Sequence, residues 1–115
     1  MLPDTMEIEM SGSRVVARIH QAEVAYAEMQ ELIDSCVDKM RYDNVQDFIF
    51  DMSGVEFLAS ACIGVLVQLL QDIEHQRGQI ALAGCQENVA FLFKVTRLDS
   101  VFPMFDDVEE AAESL

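Results

Sequence analysis

The side chains best suited to chemistry in this sequence lie in one segment, from Asp51 to Gly64. Asp51 ends an apolar run, where a carboxylate can accept a phosphoryl group or hold the backbone amides of a turn. Ser60 precedes a helical apolar pattern, where a hydroxyl can cap the helix or become phosphorylated. We therefore expect this segment, a junction between a strand and a helix, to be the functional centre.

The other reactive side chains form no catalytic or metal-binding pattern. His20 and His75 are the only histidines, and neither is spaced from another histidine or a cysteine pair as metal ligands are, so both are expected to be solvated or structural. The glycines form neither a dinucleotide-binding motif nor a P-loop. Cys36, Cys62 and Cys85 include no closely spaced pair, and we expect reduced thiols, with Cys36 and Cys62 buried. The sequence predicts no enzymatic activity, no metal and no cofactor.

Asp51 could also be the phosphoacceptor of a response-regulator receiver domain, a class of similar length. Receivers need an acidic pair after the first strand, which helps to bind a divalent metal, and a lysine late in the chain. Here the first predicted strand runs into Ser11, Gly12 and Ser13, and no lysine follows Lys94. A structural role, in which Asp51 accepts hydrogen bonds from loop amides, is favoured.

Ser60 is predicted to lie at the N-cap of the second helix, where its hydroxyl accepts a bond from a free backbone amide. A phosphoryl group on the same oxygen would face the positive end of the helix and add about two negative charges to the loop. Ser60 is therefore the candidate phosphorylation site. The bulky residues before it, Val55, Phe57 and Leu58, either fold back into the core or present an apolar surface.

The charge of the chain favours a protein partner over a nucleic acid or a membrane. Asp and Glu number 21 against 7 Lys and Arg, which gives a formal net charge of −14. Such a field repels polyanions and anionic lipids and favours a basic protein, although it also promotes solubility. The beginning of the sequence lacks a basic stretch followed by an apolar one, and no run of about 18 apolar residues occurs. We therefore expect a cytoplasmic protein that does not insert into the membrane.

Apolar periodicity predicts strands alternating with helices in one domain, residues 1–115. Two short β-prone runs separated by a turn predict an antiparallel hairpin. Near the end, Pro103 limits the pair Val101–Phe102 to an edge strand. The predicted elements are hairpin strands at 7–10 and 14–20, a helix along 29–40, a strand at 47–52, a helix at 60–76, a strand at 79–83, a helix along 89–96, the edge strand at 101–102 and a final helix along 108–115.

This order predicts an α/β fold: a mixed β-sheet of about four to five strands with about four crossover helices packed on it, because parallel neighbours need a helix-length connection. Loops at the carboxyl ends of parallel strands are the usual sites for ligands and partners, and the segment 51–60 is one of them. On the third helix, Phe91, Val95 and Leu98 form a second apolar stripe. That stripe indicates either a contact surface or burial under a neighbouring helix.

The segment 51–66, DMSGVEFLASACIGVL, resembles the signature of STAS domains, a family that includes sulfate-transporter tails and bacterial anti-sigma factor antagonists. The segment 95–112, VTRLDSVFPMFDDVEEAA, resembles the usual carboxyl-terminal stretch of the same family. The two segments occur in the family's order, and the resemblance covers nearly the whole chain. It implies a single STAS-like domain at 1–115.

The resemblance to the antagonists implies a regulatory protein-binding module. In those proteins a serine kinase that doubles as an anti-sigma factor binds the loop and phosphorylates a serine in it, and a phosphatase reverses the step. The unphosphorylated antagonist sequesters the kinase, whereas the phosphorylated one releases it. The resemblance therefore implies a serine kinase or anti-sigma factor as the partner.

The family's loop motif, Asp-Ser-Ser-Gly or an Asp with a single hydroxyl residue, aligns with Ala59, Ser60, Ala61 and Cys62. The usual phosphate acceptor falls on Ala61, which cannot be phosphorylated, so only Ser60 remains. An early Gly-x-x-Asp motif becomes the segment 20–23, which keeps a carboxylate at its last position. The resemblance thus implies binding through the loop, with atypical or absent phosphorylation.

The implied partner-binding residues lie at the end of the second strand, in the loop and at the start of the second helix. They are Glu23, Ser53, Gly54, Glu56, Phe57, Leu58, Ala59, Ser60, Ala61, Cys62 and Gly64. Two other roles remain open. One is an accessory subunit of a lipid-transport ABC system, because the STAS helpers of those assemblies carry a single hydroxyl residue followed by Ala. The other is a nucleotide-binding STAS domain that uses the same loop.

Overall fold

The computed structural model describes residues 2–115, and its seven strands form two sheets. The strands are β1 (Met6–Ser11), β2 (Arg14–Ile19), β3 (Glu23–Val24), β4 (Asp47–Asp51), β5 (Phe57–Leu58), β6 (Gln79–Ala83) and β7 (Met104–Phe105). The helices are α1 (Tyr26–Tyr42), α2 (Ser60–His75), α3 (Glu87–Val95) and α4 (Val108–Ser114), with a 3₁₀ turn at Leu98–Ser100. The main sheet has the order β1-β2-β4-β6-β7, and β3 pairs with β5 alone. The predicted mixed α/β sheet with four helices is confirmed.

The central strand β4 organises the main sheet. It pairs in parallel with β2 on one side and β6 on the other, while β1 and β2 form the predicted antiparallel hairpin. Phe48, Ile49 and Phe50 are all fully buried. Consecutive side chains of a strand point to opposite faces, so a run of three buried residues requires cover on both faces of the sheet. This confirms the predicted central parallel strand.

The two faces of the sheet carry layers of different thickness. The larger apolar cluster, which includes Phe48 and Phe50, joins the sheet to α1, α2 and α3. On the opposite face α4 packs through Ala111 against Ile49, Ala81 and Ala83. Small side chains on that face let the short helix approach the strands closely. The helices α1, α2 and α3 are crossover connections, whereas α4 follows the last strand.

The edge strand near the C-terminus is shifted from its predicted position. Val101–Phe102 is not a strand; β7 begins after Pro103 and pairs in parallel with β6. Phe102 is fully buried and meets Phe93 edge to face, with ring centroids 5.4 Å apart. Val101 is exposed, so only Phe102 of the predicted pair enters the core, and it does so from a turn. Pro103 still lies at the edge, where its carbonyl accepts a bond from the Leu82 N–H at 2.9 Å.

The small sheet of β3 and β5 was not predicted from the sequence. Its two strands pair in parallel, with Glu23 opposite Phe57 and Val24 opposite Leu58. Strands of two residues are too short to display an alternating pattern. The pairing holds the segment after β2 against the segment before α2, so it positions the candidate site. No helix within residues 2–115 combines the length and the apolar character needed to cross a bilayer.

Candidate partner-binding site

The loop after β4 is anchored by the Asp51 carboxylate. Its Oδ1 accepts the backbone N–H of Ser53 at 3.1 Å and the Ser53 hydroxyl at 2.7 Å. Its Oδ2 accepts a charged hydrogen bond from Nη1 of Arg18, also at 3.1 Å. The predicted structural role of Asp51 is confirmed, because all of these bonds hold the loop to the end of the sheet.

The next residues of the loop lie directly against neighbouring backbone. A Cβ added to Gly54 would lie 2.8 Å from the carbonyl oxygen of Ile19, which is closer than side chains pack. Gly84 has a φ of +69°, and a Cβ there would lie 2.9 Å from the Cβ of Ser53. The Gln86 side chain also donates to the Ser53 carbonyl at 2.8 Å. Two glycines therefore permit the close packing that fixes the loop.

Backbone hydrogen bonds to the chain after β2 fix the second half of the loop. The N–H groups of Glu56 and Phe57 both donate to the Ala22 carbonyl, at 2.8 and 2.9 Å. The Ala59 N–H donates to the Val24 carbonyl at 3.3 Å. As a result, the residues just before α2 are held in an extended conformation along β3. The start of α2 is therefore pre-organised.

Ser60 is the first residue of α2, not its N-cap. The N-cap is Ala59, whose φ of −61° and ψ of 138° are extended, and it offers no capping side chain. The predicted N-cap role of Ser60 is wrong because the bond from Ala59 to Val24 ends the extended segment one residue earlier. The Ser60 side chain is exposed, and its hydroxyl has no hydrogen-bond partner among residues 2–115. The hydroxyl is therefore open to solvent.

A cleft of about 420 Å³ lies beside the start of α2. Its wall includes Glu23, Glu28, Phe57, Leu58 and Ala59. The Phe57 side chain is 56% exposed although it belongs to the small sheet. The cleft thus combines an exposed aromatic ring with two carboxylates, and such a surface suits a partner with both apolar and basic side chains.

Glu28 keeps its charge at the edge of this cleft. Its carboxylate accepts the backbone N–H of Ala25 at 3.0 Å, which supplies the first turn of α1 with an acceptor. That bond, and a second one with the Gln21 side chain, lower the pKa of Glu28. Sequence reasoning missed Glu28 because the N-cap is Ala25, and the usual signature of this contact has a serine or threonine three residues before the glutamate.

Five of the predicted partner-binding residues line one of two clefts. Glu23, Phe57, Leu58 and Ala59 line the cleft beside α2, whereas Ser53 lines a second cleft of about 400 Å³ that also includes Arg18 and the acidic residues before α4. The remaining exposed residues lie in the loop or at the start of α2. They are Gly54, Glu56, Ser60, Ala61 and Gly64.

Cys62 differs from the other predicted contact residues because its side chain is fully buried. Its Sγ donates a weak hydrogen bond to the Val24 carbonyl at 3.6 Å, beneath the small sheet. Burial is the main cause that raises the pKa of the Cys62 thiol, and it raises that of Cys36 to about 12 and that of Cys85 to about 11. The expected buried thiols at 36 and 62 are confirmed. Cys62 packs in the core next to the small sheet and is not available for direct contact with a partner.

The site offers an exposed serine hydroxyl, an exposed aromatic ring and carboxylates. Within residues 2–115 no cluster of three His, Cys, Asp or Glu side chains is arranged to hold a metal ion. His20 follows β2 close to the loop, since a Cβ added to Gly54 would lie 3.5 Å from the His20 Cα. Its ring lies 2.7 Å from a carboxylate oxygen of Glu7, and both side chains are exposed. This agrees with the predicted solvated histidine.

The fold is similar to that of several solved anti-sigma factor antagonists. SpoIIAA in its unphosphorylated form matches with a TM-score of 0.84 and 18% sequence identity, over 95% of this chain and 94% of that one. A proposed anti-sigma factor antagonist from Thermotoga maritima matches with a TM-score of 0.83 and 20% identity, over 96% and 94% of the two chains. The phosphorylated form of SpoIIAA from Bacillus matches with a TM-score of 0.75 and 17% identity, over 95% and 97%. At these identities the likeness concerns the fold.

A sequence relative and a family model connect the chain to a family. A proposed anti-sigma factor antagonist of Thermotoga maritima is 33% identical over 64 residues, which cover 56% of this chain and 57% of that protein. The match therefore spans about half the length of that relative. The family model of the STAS domain matches residues 7–111, from the first strand to the last helix. The chain belongs to the STAS domain family.

Proposed function

We propose that this STAS domain is a non-catalytic regulatory module that binds a serine kinase acting as an anti-sigma factor. The proposed contact is the β5–α2 surface, defined by Glu23, Glu56, Phe57, Ser60 and Ala61. The exposed aromatic ring of Phe57, held on a fixed loop beside an accessible serine, is the single observation that carries the proposal. The kinase and its ATP belong to the cytoplasm, and we expect the protein to act there.

The fixed backbone around Phe57 supports binding to a protein partner. Its N–H is bonded to Ala22, and its strand pairs with β3, so the ring projects from an ordered element. An exposed aromatic side chain on a rigid surface loses little conformational entropy when it enters a pocket of the partner. Aromatic anchors of this kind often dominate the binding energy of an interface.

The charge of the surface supports a partner with basic groups around its pocket. Glu23, the register partner of Phe57, and Glu56, which precedes Phe57 in the chain, are both exposed. Glu28 lies in the adjoining cleft. The whole chain has a formal charge of −14, so a basic partner would be attracted from a distance as well as at contact. Salt should therefore slow association.

Ser60 supports a limited form of phosphorylation control. The hydroxyl is exposed at the first residue of α2, so a phosphoryl group would face the free N–H groups of that helix. Within a bound interface, however, the same group would be enclosed beside Phe57 and Glu56 without a dedicated cation from this chain. An enclosed charge without a partner weakens a complex. Ala61, where the family's usual acceptor would lie, carries no hydroxyl, so Ser60 is the residue that would be modified.

The proposal is tested by calorimetric titration with the ATP-binding serine kinase encoded nearest to the gene of this protein. We expect binding, and we expect Ser60→Asp to weaken it at least tenfold while Ser60→Ala leaves it within about twofold. After incubation with kinase and ATP, mass spectrometry should find any phosphoryl group on Ser60. A kinase that does not bind the unmodified protein would contradict the proposal. Binding without modification would restrict it to a constitutive antagonist.

A second candidate role is supported by the Ser60–Ala61 pair. The free hydroxyl at 60 followed by a methyl group at 61 fits an accessory subunit that contacts an ABC ATPase without being phosphorylated. Co-purification separates the two roles. If the tagged protein recovers an ABC ATPase subunit and no serine kinase, and if Phe57→Ala abolishes that recovery, the transport role replaces the signalling role.

A further inference from the structure

The strand β1 forms an open edge of the main sheet. It is the first strand in the order β1-β2-β4-β6-β7 and pairs on one side only, with β2. The opposite edge of the sheet is β7, which has two residues and follows Pro103, and short strands and prolines hinder pairing with another chain. β1 has six residues and contains no proline. It therefore presents a longer row of backbone groups to a further strand.

Hydrogen bonding fixes which backbone groups of β1 point outwards. The His20 N–H donates to the carbonyl of Thr5, which lies directly opposite it when the register of β1 with β2 is extended by one pair. The odd-numbered residues of β1 therefore turn their N–H and C=O groups towards β2. The Met6 N–H points the other way and donates to a carbonyl of the preceding turn. By the same alternation the backbone groups of Ile8 and Met10 point outwards, and they have no backbone partner among residues 2–115.

The side chains of β1 differ between its two faces. Ile8 and Met10 lie on the face that α1, α2 and α3 cover, where Ile8 packs against the core and Met10 is 41% exposed. Glu7 and Glu9 lie on the other face, where α4 packs against β4, β6 and β7 and leaves both glutamates exposed. The edge thus has an apolar side and an acidic side.

The acidic side keeps a net negative charge after its own ion pairs are counted. Carboxylates outnumber guanidinium groups four to two on this face of β1, β2 and β4. They are Glu7, Glu9, Asp47 and Asp51, against Arg14 and Arg18. His20, 2.7 Å from Glu7, adds a positive charge only when it is protonated. The formal charge of the whole chain, −14, has the same sign, so the local and the long-range fields both favour a basic partner.

We propose that the β1 edge, defined by Glu7, Ile8, Glu9 and Met10, binds an extended segment of a partner protein in which lysine or arginine alternates with apolar residues. Addition of a strand to an open sheet edge is a general mode of peptide recognition. The segment pairs antiparallel with β1, because antiparallel ladders are slightly more stable than parallel ones. Opposite residues share a face, so its apolar side chains lie beside Ile8 and Met10 and its cations lie beside the two glutamates.

A second copy of this chain and a nucleic acid fit the β1 edge less well. Every antiparallel register of two β1 strands that is centred on residues 7 to 9 places a glutamate directly opposite a glutamate of the other copy. Like charges in that position destabilise the pairing of strands. A nucleic acid is repelled by the same carboxylates. The glutamates therefore oppose self-association of this edge while they attract a basic strand.

The exposed apolar residues of α3 give no comparable choice of partner. Of the predicted stripe on this helix, Phe91 and Val95 are exposed and Leu98 is partly buried. Two exposed carboxylates and two exposed cations lie along the same part of the chain and balance each other: Glu87, Asp99, Lys94 and Arg97. Charge therefore favours neither an acidic nor a basic segment there.

The test is a titration of the ¹⁵N-labelled protein with a short synthetic peptide in which valine and lysine alternate. We expect the largest amide shifts at Ile8 and Met10, and we expect hydrogen exchange of these two amides to slow about tenfold when the free peptide is at about ten times its dissociation constant. The double variant Glu7→Gln/Glu9→Gln should bind about tenfold more weakly at low salt. Glu74→Gln/Glu113→Gln is the matched control, because it removes the same charge from exposed positions on α2 and α4, and it should bind within about twofold of the native protein.

Two changes to the backbone test strand pairing directly. Met10→Pro removes an outward N–H and no bond to β2, so it should keep the fold and weaken binding about tenfold, whereas Met10→Ala loses the same side chain but keeps the N–H and should bind more tightly than Met10→Pro. N-methylation of the peptide alters the same bonds without altering the protein. Methyl groups on the valine nitrogens, which face β1, should abolish binding, and methyl groups on the lysine nitrogens, which face away, should not.

Several outcomes would overturn this proposal. They are an absence of shifts in β1 at millimolar peptide, equal binding of a peptide with glutamate in place of lysine, and equal loss of binding on N-methylation of valine and of lysine. Sedimentation in which the free protein dimerises and Met10→Pro restores the monomer would make a second copy the occupant instead. The β1 edge shares no residue with the β5–α2 surface, so the serine kinase should bind Met10→Pro as it binds the native protein, and the two proposals can fail separately.

Discussion

Arg18 and Asp51 are register partners on the neighbouring parallel strands β2 and β4, and their side chains meet at 3.1 Å where both strands end. The second oxygen of Asp51 holds Ser53, so one carboxylate joins the sheet to the loop that precedes the β5–α2 surface. The exposed side chains of the site depend on this anchor for their position.

Replacing Asp51 with alanine should destabilise the fold by about 1–3 kcal/mol, because three hydrogen bonds are lost together. Urea denaturation measures this free energy of unfolding. Glu9→Ala is the control: it removes an exposed carboxylate 3.5 Å from Arg18 and should cost less than about 0.5 kcal/mol. Equal stability of the two variants would contradict the anchoring role of Asp51.

Two glycine-to-alanine substitutions should change the free energy of unfolding in opposite directions. Gly84→Ala places a Cβ 2.9 Å from that of Ser53 at a φ of +69°, and we expect a loss of at least about 1 kcal/mol. Gly64→Ala lies within α2 with no atom within 4 Å of the added Cβ, and we expect a gain of about 0.5–1 kcal/mol. Thermal unfolding measures both changes, and a stabilising Gly84→Ala would be inconsistent with the packing of the loop.

The N-cap assignments predict a contrast between two helices. Ser60→Ala should change stability by less than about 0.5 kcal/mol, because Ser60 is not the cap of α2. Asp107→Ala should cost about 1 kcal/mol, because the Asp107 side chain accepts the Glu110 N–H at 2.8 Å at the start of α4. Urea denaturation of the two variants distinguishes them. A larger loss for Ser60→Ala than for Asp107→Ala would restore the cap role to Ser60.

Glu28 should contribute a small part of the acid sensitivity of the fold. Its pKa is lowered from 4.5 in the folded protein, so its contribution is present above pH 4.5 and is lost as the pH falls through the folded value. Because the side chain is largely hydrated, we expect a contribution below about 0.5 kcal/mol. Glu28→Gln should flatten the dependence of the free energy of unfolding on pH below pH 4.5. If the free energy of unfolding of Glu28→Gln and of the native protein depends on pH in the same way, Glu28 does not contribute to the acid sensitivity of the fold.

The sequence was most informative where periodicity and burial coincide. The run Phe48–Phe50 predicted a central strand because a strand covered on both faces is apolar throughout. The apolar stripe that begins at Cys62 predicted the helix α2. The predicted edge strand at Val101–Phe102 was wrong because an apolar pair before a proline fits equally well a turn that buries one of its two side chains, here Phe102. The contact of Phe102 with Phe93 requires knowledge of the tertiary fold.

The candidate site was predictable in position but not in detail. The motif at 51–66 located the loop, yet the exposure of Phe57 and the burial of Cys62 depend on the pairing of β3 with β5. That pairing joins segments more than 30 residues apart, as Glu23 and Phe57 illustrate, and leaves no local pattern. The same pairing displaced Ser60 from the N-cap, since it fixes Ala59 through Val24.

The most direct test of the β5–α2 surface is the affinity of the neighbouring-gene serine kinase for Phe57→Ala. The control is Tyr42→Ala, which removes an aromatic ring that is 79% exposed at the far end of α1. Phe57→Ala should fold normally and bind at least about tenfold more weakly, a loss of about 1.4 kcal/mol or more, while Tyr42→Ala binds as the native protein does. Equal affinities for Phe57→Ala and the native protein would contradict the assignment of this surface as the partner-binding site.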